Sequence, residues 1–150
     1  MNRYASLAVF IVVVFGGGLL IGLVAQPGEW YAALTKPPFN PPNWIFGPVW
    51  SILYILIAIA GWRIWEREEA GVPRLLWMMQ LVLNFLWSSV FFGLQSLGGA
   101  LVIILPLFAA IVAFIVIARR FDRLAAWLFV PYALWVGFAS VLNLSVWWLN

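Results

Sequence analysis

The stretch LGGALVIILPLFAAIVAFIVIA, residues 97–118, decides the fold. Its twenty-two side chains include no charge, amide or hydroxyl. About 20 such residues in a helix, rising 1.5 Å each, cross the roughly 30 Å hydrocarbon core of a bilayer. Lipid offers the backbone no hydrogen-bond partners, so a segment of this kind is a helix that satisfies its own amides.

Four more stretches read the same way, at 5–25, 44–65, 74–93 and 124–149. The chain is therefore predicted to be an all-α membrane protein, a bundle of five transmembrane helices forming one domain over 1–150. Composition agrees: 66% of the residues are hydrophobic and only 9% charged, against about a quarter charged in a soluble domain. The apolar core of the first stretch is too long for the h-region of a cleaved leader, so it is expected to stay as a span. The turns 94–96 and 119–123 are short, which makes the last three spans antiparallel neighbours.

Seven Arg (3, 63, 67, 74, 119, 120 and 123) fall on one side of a five-span arrangement, and Lys36 stands alone on the other. Cationic residues stay on the cytoplasmic side. The N-terminus is thus predicted inside, with the 26–43 loop and the C-terminus outside. The Arg residues fall in small groups separated by long apolar runs and form no basic stripe, so nucleic acid is not an expected partner.

The chain has no Cys and no His. This excludes disulfides, thiol nucleophiles, thiolate metal sites and the usual general base. No carboxylate lies within a span, so no metal centre is expected and acid–base catalysis has no evident residues. Ion coupling is also disfavoured, because ion and proton paths leave ionisable residues within spans.

What the chain has instead is eleven Trp. Trp77, Gln80, Asn84, Trp87, Ser88 and Phe91 recur at three- and four-residue spacing and share a helix face. Gln80 and Asn84 are poorly placed against hydrocarbon, so that face should look inward, either bridging helices or lining a pocket; the aromatic neighbours favour a pocket. Trp50, Tyr54, Ala58 and Gly61 make a second stripe. Pro131, Trp135, Phe138, Ala139 and Leu142 make a third. Large rings beside small residues leave shaped space for a flat apolar ligand, with an indole N–H or phenol O–H to orient it. Gly18 with Gly22, and Ala133 with Gly137, are small-xxx-small pairs that would permit close helix approach. Pro106 and Pro131 lie within spans and are expected to bend them. The 26–43 loop carries two proline pairs and several aromatics, which suggests an ordered lid over the outer mouth.

At these residues the sequence resembles the TspO/MBR family of translocator and tryptophan-rich sensory proteins. The carriers are Trp30-Tyr31 with Lys36-Pro37-Pro38 and Pro41-Pro42, then Trp50-Ser51-Ile52-Leu53-Tyr54. Further on come Leu83-Asn84-Phe85-Leu86-Trp87 with Phe91-Phe92-Gly93, and Pro131-Tyr132-Ala133-Leu134-Trp135 followed by Val141-Leu142-Asn143. The resemblance implies a five-helix bundle, often a homodimer, whose cavity binds porphyrin (protoporphyrin IX) and haem as ligands rather than cofactors. It also implies possible binding of sterol-like lipids and benzodiazepine-type drugs, and a transport or sensory role. Family pocket residues map to Trp30, Tyr31, Trp50, Tyr54, Asn84, Trp87, Trp135 and Ala139, with Phe138 adjoining from the third stripe. The alternative it leaves open is light- or oxygen-dependent porphyrin degradation, with Trp30 or Trp135 as the reacting ring and no firm catalytic residue. Animal members end their fifth helix in a sterol-recognition pattern of Tyr and then Arg. Residues 141–150 here have neither, which puts sterol binding through that pattern in doubt.

Overall fold

The computed structural model describes residues 2–150. Five spans are present, each long and apolar enough to cross a membrane. They comprise α1 (Arg3–Val24), α3 (Asn43–Trp65), α4 (Gly71–Ser88) continued by a π-helical turn (Ser89–Gly93), α5 (Leu97–Ala118), and the pair α6 (Arg123–Leu128) and α7 (Val130–Leu149). A short helix α2 (Glu29–Ala33) lies in the lid loop. Around the bundle α3 neighbours α1, α1 neighbours α4, α4 packs on α5, and α5 on α7; α6 returns to α3 and closes the ring.

Helix ends stop where local chemistry dictates. Asn2 caps α1 by accepting from the Tyr4 amide, Ser96 caps α5 through the Gly99 amide, and Asp122 caps α6 through the Ala125 amide. Gln95 turns the chain between α4 and α5 with φ of 55°, a left-handed conformation that lets so short a loop reverse direction.

Three regions depart from the regular helices expected. The third span ends in a π turn, closed by the Leu94 amide donating to the Ser89 carbonyl at 3.0 Å. The extra residue per turn brings Trp87, Ser88, Phe91 and Phe92 all to one internal space. The fifth span is not merely bent at Pro131 but divided at Phe129. Pro131 has no N–H to give the carbonyl four residues back, so α6 stops and α7 begins with the proline in its first turn. Pro106, in contrast, lies inside an unbroken α5. The lid loop, expected to be ordered, contains the short helix α2 over its Trp30-Tyr31 segment.

The two ends of the bundle differ. At one end the Arg residues gather around Asp122: its Oδ2 lies 3.0 Å from Arg63 Nε and 3.2 Å from Arg67 Nη2. Arg3 pairs with Glu66 at 3.0 Å and lies over the Trp62 ring, and Arg74 donates to the carbonyls of Trp65 and Arg67. Burial alone would raise the Asp122 carboxyl, but the Ala125 amide and the two guanidinium groups outweigh it and hold the group below its ordinary value. The adjoining half of the bundle is solid. Ile57, Ala58, Ile64, Phe114, Ala125 and Phe129 are fully buried there, and the rings of Phe114 and Phe129 stand 4.1 Å apart.

Glycines place the close helix contacts. A Cβ on Gly61 would overlap the Trp77 ring, and one on Gly18 would overlap Tyr54. Gly18 and Gly22 are therefore not a packing pair: Gly18 makes a tight crossing of α1 with α3, whereas a Cβ on Gly22 would meet nothing within 4 Å. Gly137 packs against α5, where a Cβ would lie 3.2 Å from Phe108.

Candidate functional site

Beyond the Gly18–Tyr54 crossing the bundle is hollow. A cavity of about 410 Å³ lies between α1, α3, α4 with its π turn, and α7, beneath the lid. That volume falls within the roughly 300–1,000 Å³ of small-molecule sites.

Its walls come from helix faces built by three- and four-residue spacing. From α3 come Phe46, Trp50, Ser51 and Tyr54; from the end of α4, Trp87, Ser88, Phe91 and Phe92; from α7, Trp135, Ala139, Leu142 and Asn143. Trp50 stacks on Tyr54 with ring centroids 5.5 Å apart and 30° between planes, and its ring stands 6.4 Å from Trp87. Phe46 meets Trp135 edge-on at 5.8 Å. The aromatic surface is thus continuous, and Ala139 opposite supplies the space that a larger side chain would fill.

The lid forms the roof. Tyr31 is buried, packs on Phe91 and Phe92, and donates its hydroxyl to Asn40 Oδ1 at 3.2 Å. Burial pushes its phenol above the ordinary value, with the Asn40 bond offsetting part of the rise, so Tyr31 stays a donor. The lid is clasped to the end of α7. The Thr35 amide donates to Asn150 Oδ1 at 3.1 Å, and Asn150 Nδ2 returns a bond to the Thr35 carbonyl at 2.9 Å. Lys36, the lone cation on this side of the bundle, folds back. Its Nζ donates to the carbonyls of Ala32 and Leu34 at the end of α2 and sits 4.7 Å from the Tyr31 ring centroid.

Of the residues singled out by sequence, Tyr31, Trp50, Tyr54, Trp87, Trp135 and Ala139 line the cavity. Three do not. Trp30 stands behind the wall, edge-on to Phe91 at 6.0 Å, and Phe138 lies on the flank of α7 between Phe39 and Trp135. Asn84 is fully buried beneath the floor. Tyr54 Oη donates to Asn84 Oδ1 at 3.1 Å, and Asn84 Nδ2 donates to Tyr132 Oη at 2.7 Å. Tyr132 in turn donates to Gln80 Oε1 at 2.8 Å, and Gln80 Nε2 to the Trp77 carbonyl at 2.8 Å. The polar stripe of α4 therefore faces inward as expected, yet its lower half is consumed in a satisfied network rather than offered to a ligand. Pro131, the first member of the third stripe, is exposed on the outer surface of α7.

The donors differ in availability. Trp87 Nε1 is engaged by Asn143 Oδ1 at 3.0 Å, and Asn143 Nδ2 is held by the Leu97 carbonyl at 3.1 Å. Trp135 Nε1 is buried and has no partner among the described residues. Sequence reasoning passed over Tyr132 and Asn143 as members of the site. The signal was present, since 132, 136, 139 and 143 repeat at helical spacing and share the inner face of α7. Among the described residues no cluster of metal-ligating side chains occurs.

Known proteins bear on this site. The chain is 40% identical to the tryptophan-rich protein TspO of Archaeoglobus fulgidus, over all of this chain and 97% of that one. It is 41% identical to protein CrtK of Rhodobacter capsulatus, over 86% of this chain and 83% of the relative. Identity to the human translocator protein is 40%, over 87% of this chain and 82% of the relative. The TspO/MBR family pattern matches residues 8–149, which takes in most of the first span, the lid and the other four spans. With five spans, a Trp-rich cavity and matches of this extent, the chain belongs to the TspO/MBR family.

Proposed function

We propose that this protein is a membrane receptor or carrier for tetrapyrroles, protoporphyrin IX and haem, and for flat apolar molecules of similar shape. The observation that carries the reading is the cavity of about 410 Å³, whose wall includes Trp135, a residue with a buried indole N–H that has no partner among the described residues. Around it the cavity is aromatic, with Trp50, Tyr54, Trp87 and Phe91 presenting rings to a planar body.

Metal-free porphyrin binds about as well as haem on this reading, because the chain has no His or Cys to ligate iron. The Arg-rich end faces the cytoplasm of a bacterial cell, and the lid faces outward. A transport or sensory role, and a homodimeric state, follow from the family resemblance.

The test is quenching of Trp fluorescence by protoporphyrin IX in the dark, followed by absorbance scans under illumination. Saturable quenching, micromolar or tighter and weakened by Trp50→Ala, is the expected result, with absorbance stable in light. Absence of saturable quenching would overturn the tetrapyrrole reading. Protein-dependent bleaching would show that the bound ligand is also consumed.

A further inference from the structure

The cavity is roofed by the lid, and along one side it is bordered by exposed residues of the spans. Above it the lid is held by the reciprocal Thr35–Asn150 bonds, by Tyr31 against Phe91 and Phe92, and by Lys36 on the last carbonyls of α2. At its side there is no such closure. Helices α1 and α3 touch tightly at Gly18 and Tyr54, and nearer the lid their glycines border open space. One turn beyond Gly18, Gly22 has nothing within 4 Å of the place a Cβ would take. Two turns before Tyr54 on the facing helix, Gly47 has nothing either.

The same opening is edged by Leu19 and Leu23, which border the cavity while being 55% and 60% exposed on the outer surface. All four residues belong to spans, so what meets this surface is lipid. Gly22 lies two residues from the end of α1 and Gly47 four from the start of α3. At 1.5 Å per residue the opening is thus roughly 3–6 Å from the helix ends. Trp44, 73% exposed at the start of α3, sits where interfacial aromatics anchor a helix.

We infer that the gap between α1 and α3, with Gly22 and Gly47 as its two jambs, is a lateral portal through which an amphiphilic ligand passes between the outer leaflet and the cavity. The inference rests on the tetrapyrrole reading for its ligand class. The geometry suits a molecule whose flat apolar body dissolves among the acyl chains while its carboxylates stay at headgroup depth, the depth of the opening itself. Glycine is the residue that keeps such a gap wide, since any side chain at either position projects into it. Polar Ser51, on the same face of α3 one turn from Gly47, borders the inner end of the passage.

The experiment uses the full chain in lipid vesicles, with protoporphyrin IX supplied in the same membranes and Trp quenching followed in time. Gly22→Leu with Gly47→Leu is expected to slow association and dissociation together, each tenfold or more, because a narrowed passage raises the barrier in both directions. Asn150→Ala, which unclasps the lid, is expected to alter either rate less than twofold. Rates unchanged in the double variant but raised tenfold by Asn150→Ala would overturn the portal and place the route beneath the lid.

A second measurement needs no tetrapyrrole. The chain has no Cys, so Ser51→Cys offers a single thiol at the inner end of the passage. A maleimide carrying an acyl chain should label it at least ten times faster than a sulfonated, water-soluble maleimide, and the Leu pair should remove that advantage. Faster labelling by the sulfonated reagent would overturn the portal. Absence of saturable quenching by the unmodified chain would fail the tetrapyrrole reading alone, since the labelling still judges the passage.

Discussion

Tyr54 faces both the cavity and the buried network, and its hydroxyl donates to Asn84 Oδ1 at 3.1 Å. The ring of Tyr54 also receives Gly18 at the tightest crossing of α1 and α3. One side chain thereby joins the floor of the cavity to the packing of the bundle. Changes on the two sides of Tyr54 are accordingly expected to separate stability from binding.

Asn84→Leu acts on the stability side. It removes the acceptor of Tyr54 and the donor to Tyr132, both within the buried network. A buried polar group left unsatisfied costs about 1–3 kcal/mol. Thermal unfolding in detergent should show a loss of that order, while protoporphyrin affinity in the surviving folded protein falls only a few-fold. A large loss of affinity without any loss of stability would mean that Asn84 reaches the ligand directly.

Trp135→Phe acts on the binding side. The substitution keeps an aromatic wall and deletes the unpartnered N–H. A neutral hydrogen bond contributes about 0.5–1.5 kcal/mol net. Affinity for an acceptor-bearing tetrapyrrole should therefore drop several-fold to about tenfold, with thermal stability unchanged or slightly raised. An equilibrium quenching titration checks the first expectation and an unfolding curve the second.

Gly18→Leu and Gly22→Ala form a matched pair on α1. The first drives a side chain into the Tyr54 ring, whereas the second fills open space. Overpacking costs typically about 1–3 kcal/mol, and Gly→Ala in a helix gains up to about 1 kcal/mol. Unfolding measurements should show the first variant destabilised and the second equal to or above the parent. Equal destabilisation would mean that both glycines serve helix packing.

The Asp122 carboxyl makes the Arg-rich end pH-dependent. Its folded value lies below the ordinary one because the Ala125 amide and the Arg63 and Arg67 guanidinium groups favour the charged form over the opposing effect of burial. A depressed folded value contributes stability that is complete above the ordinary carboxylate range and is lost as pH falls through the folded value. Stability should therefore hold from neutral pH down to that range and decline only in stronger acid. Asp122→Asn keeps a side chain able to cap α6 but removes the charge that faces two partly exposed Arg. It should cost roughly 1–2 kcal/mol at neutral pH and flatten the acid decline. An acid decline of equal steepness in the variant would assign the effect to another carboxylate.

How much was legible in the sequence differs between the bundle and its site. Residues 97–118 have no polar side chain to offer water, so their fate as a span follows from composition and length alone. The inward face of α4 was readable for a related reason: Gln80 and Asn84 cannot face hydrocarbon, and helical spacing carries Trp77, Trp87 and Phe91 with them. The grouping of Arg at one end was legible because each lies at a span boundary.

What periodicity cannot express is which side of an inward-facing residue is empty. Asn84 and Trp87 share one face of α4, yet Asn84 is sealed by Tyr54 and Tyr132 while Trp87 borders open space. The difference arises from partners 30 and 48 residues away. The π turn at Ser89–Gly93 likewise depends on how neighbouring helices accept a local irregularity, and Pro131 divides its span where Pro106 leaves α5 unbroken. Gly18 and Gly22 carry no side-chain information that separates them, and only the placement of Tyr54 against Gly18 makes one a contact and the other a gap. The sequence by itself determined the spans, their number and their inward stripes, because burial in lipid is decided residue by residue. The tertiary structure decided where the bundle is solid and where hollow, because a cavity is a property of the distances between helices.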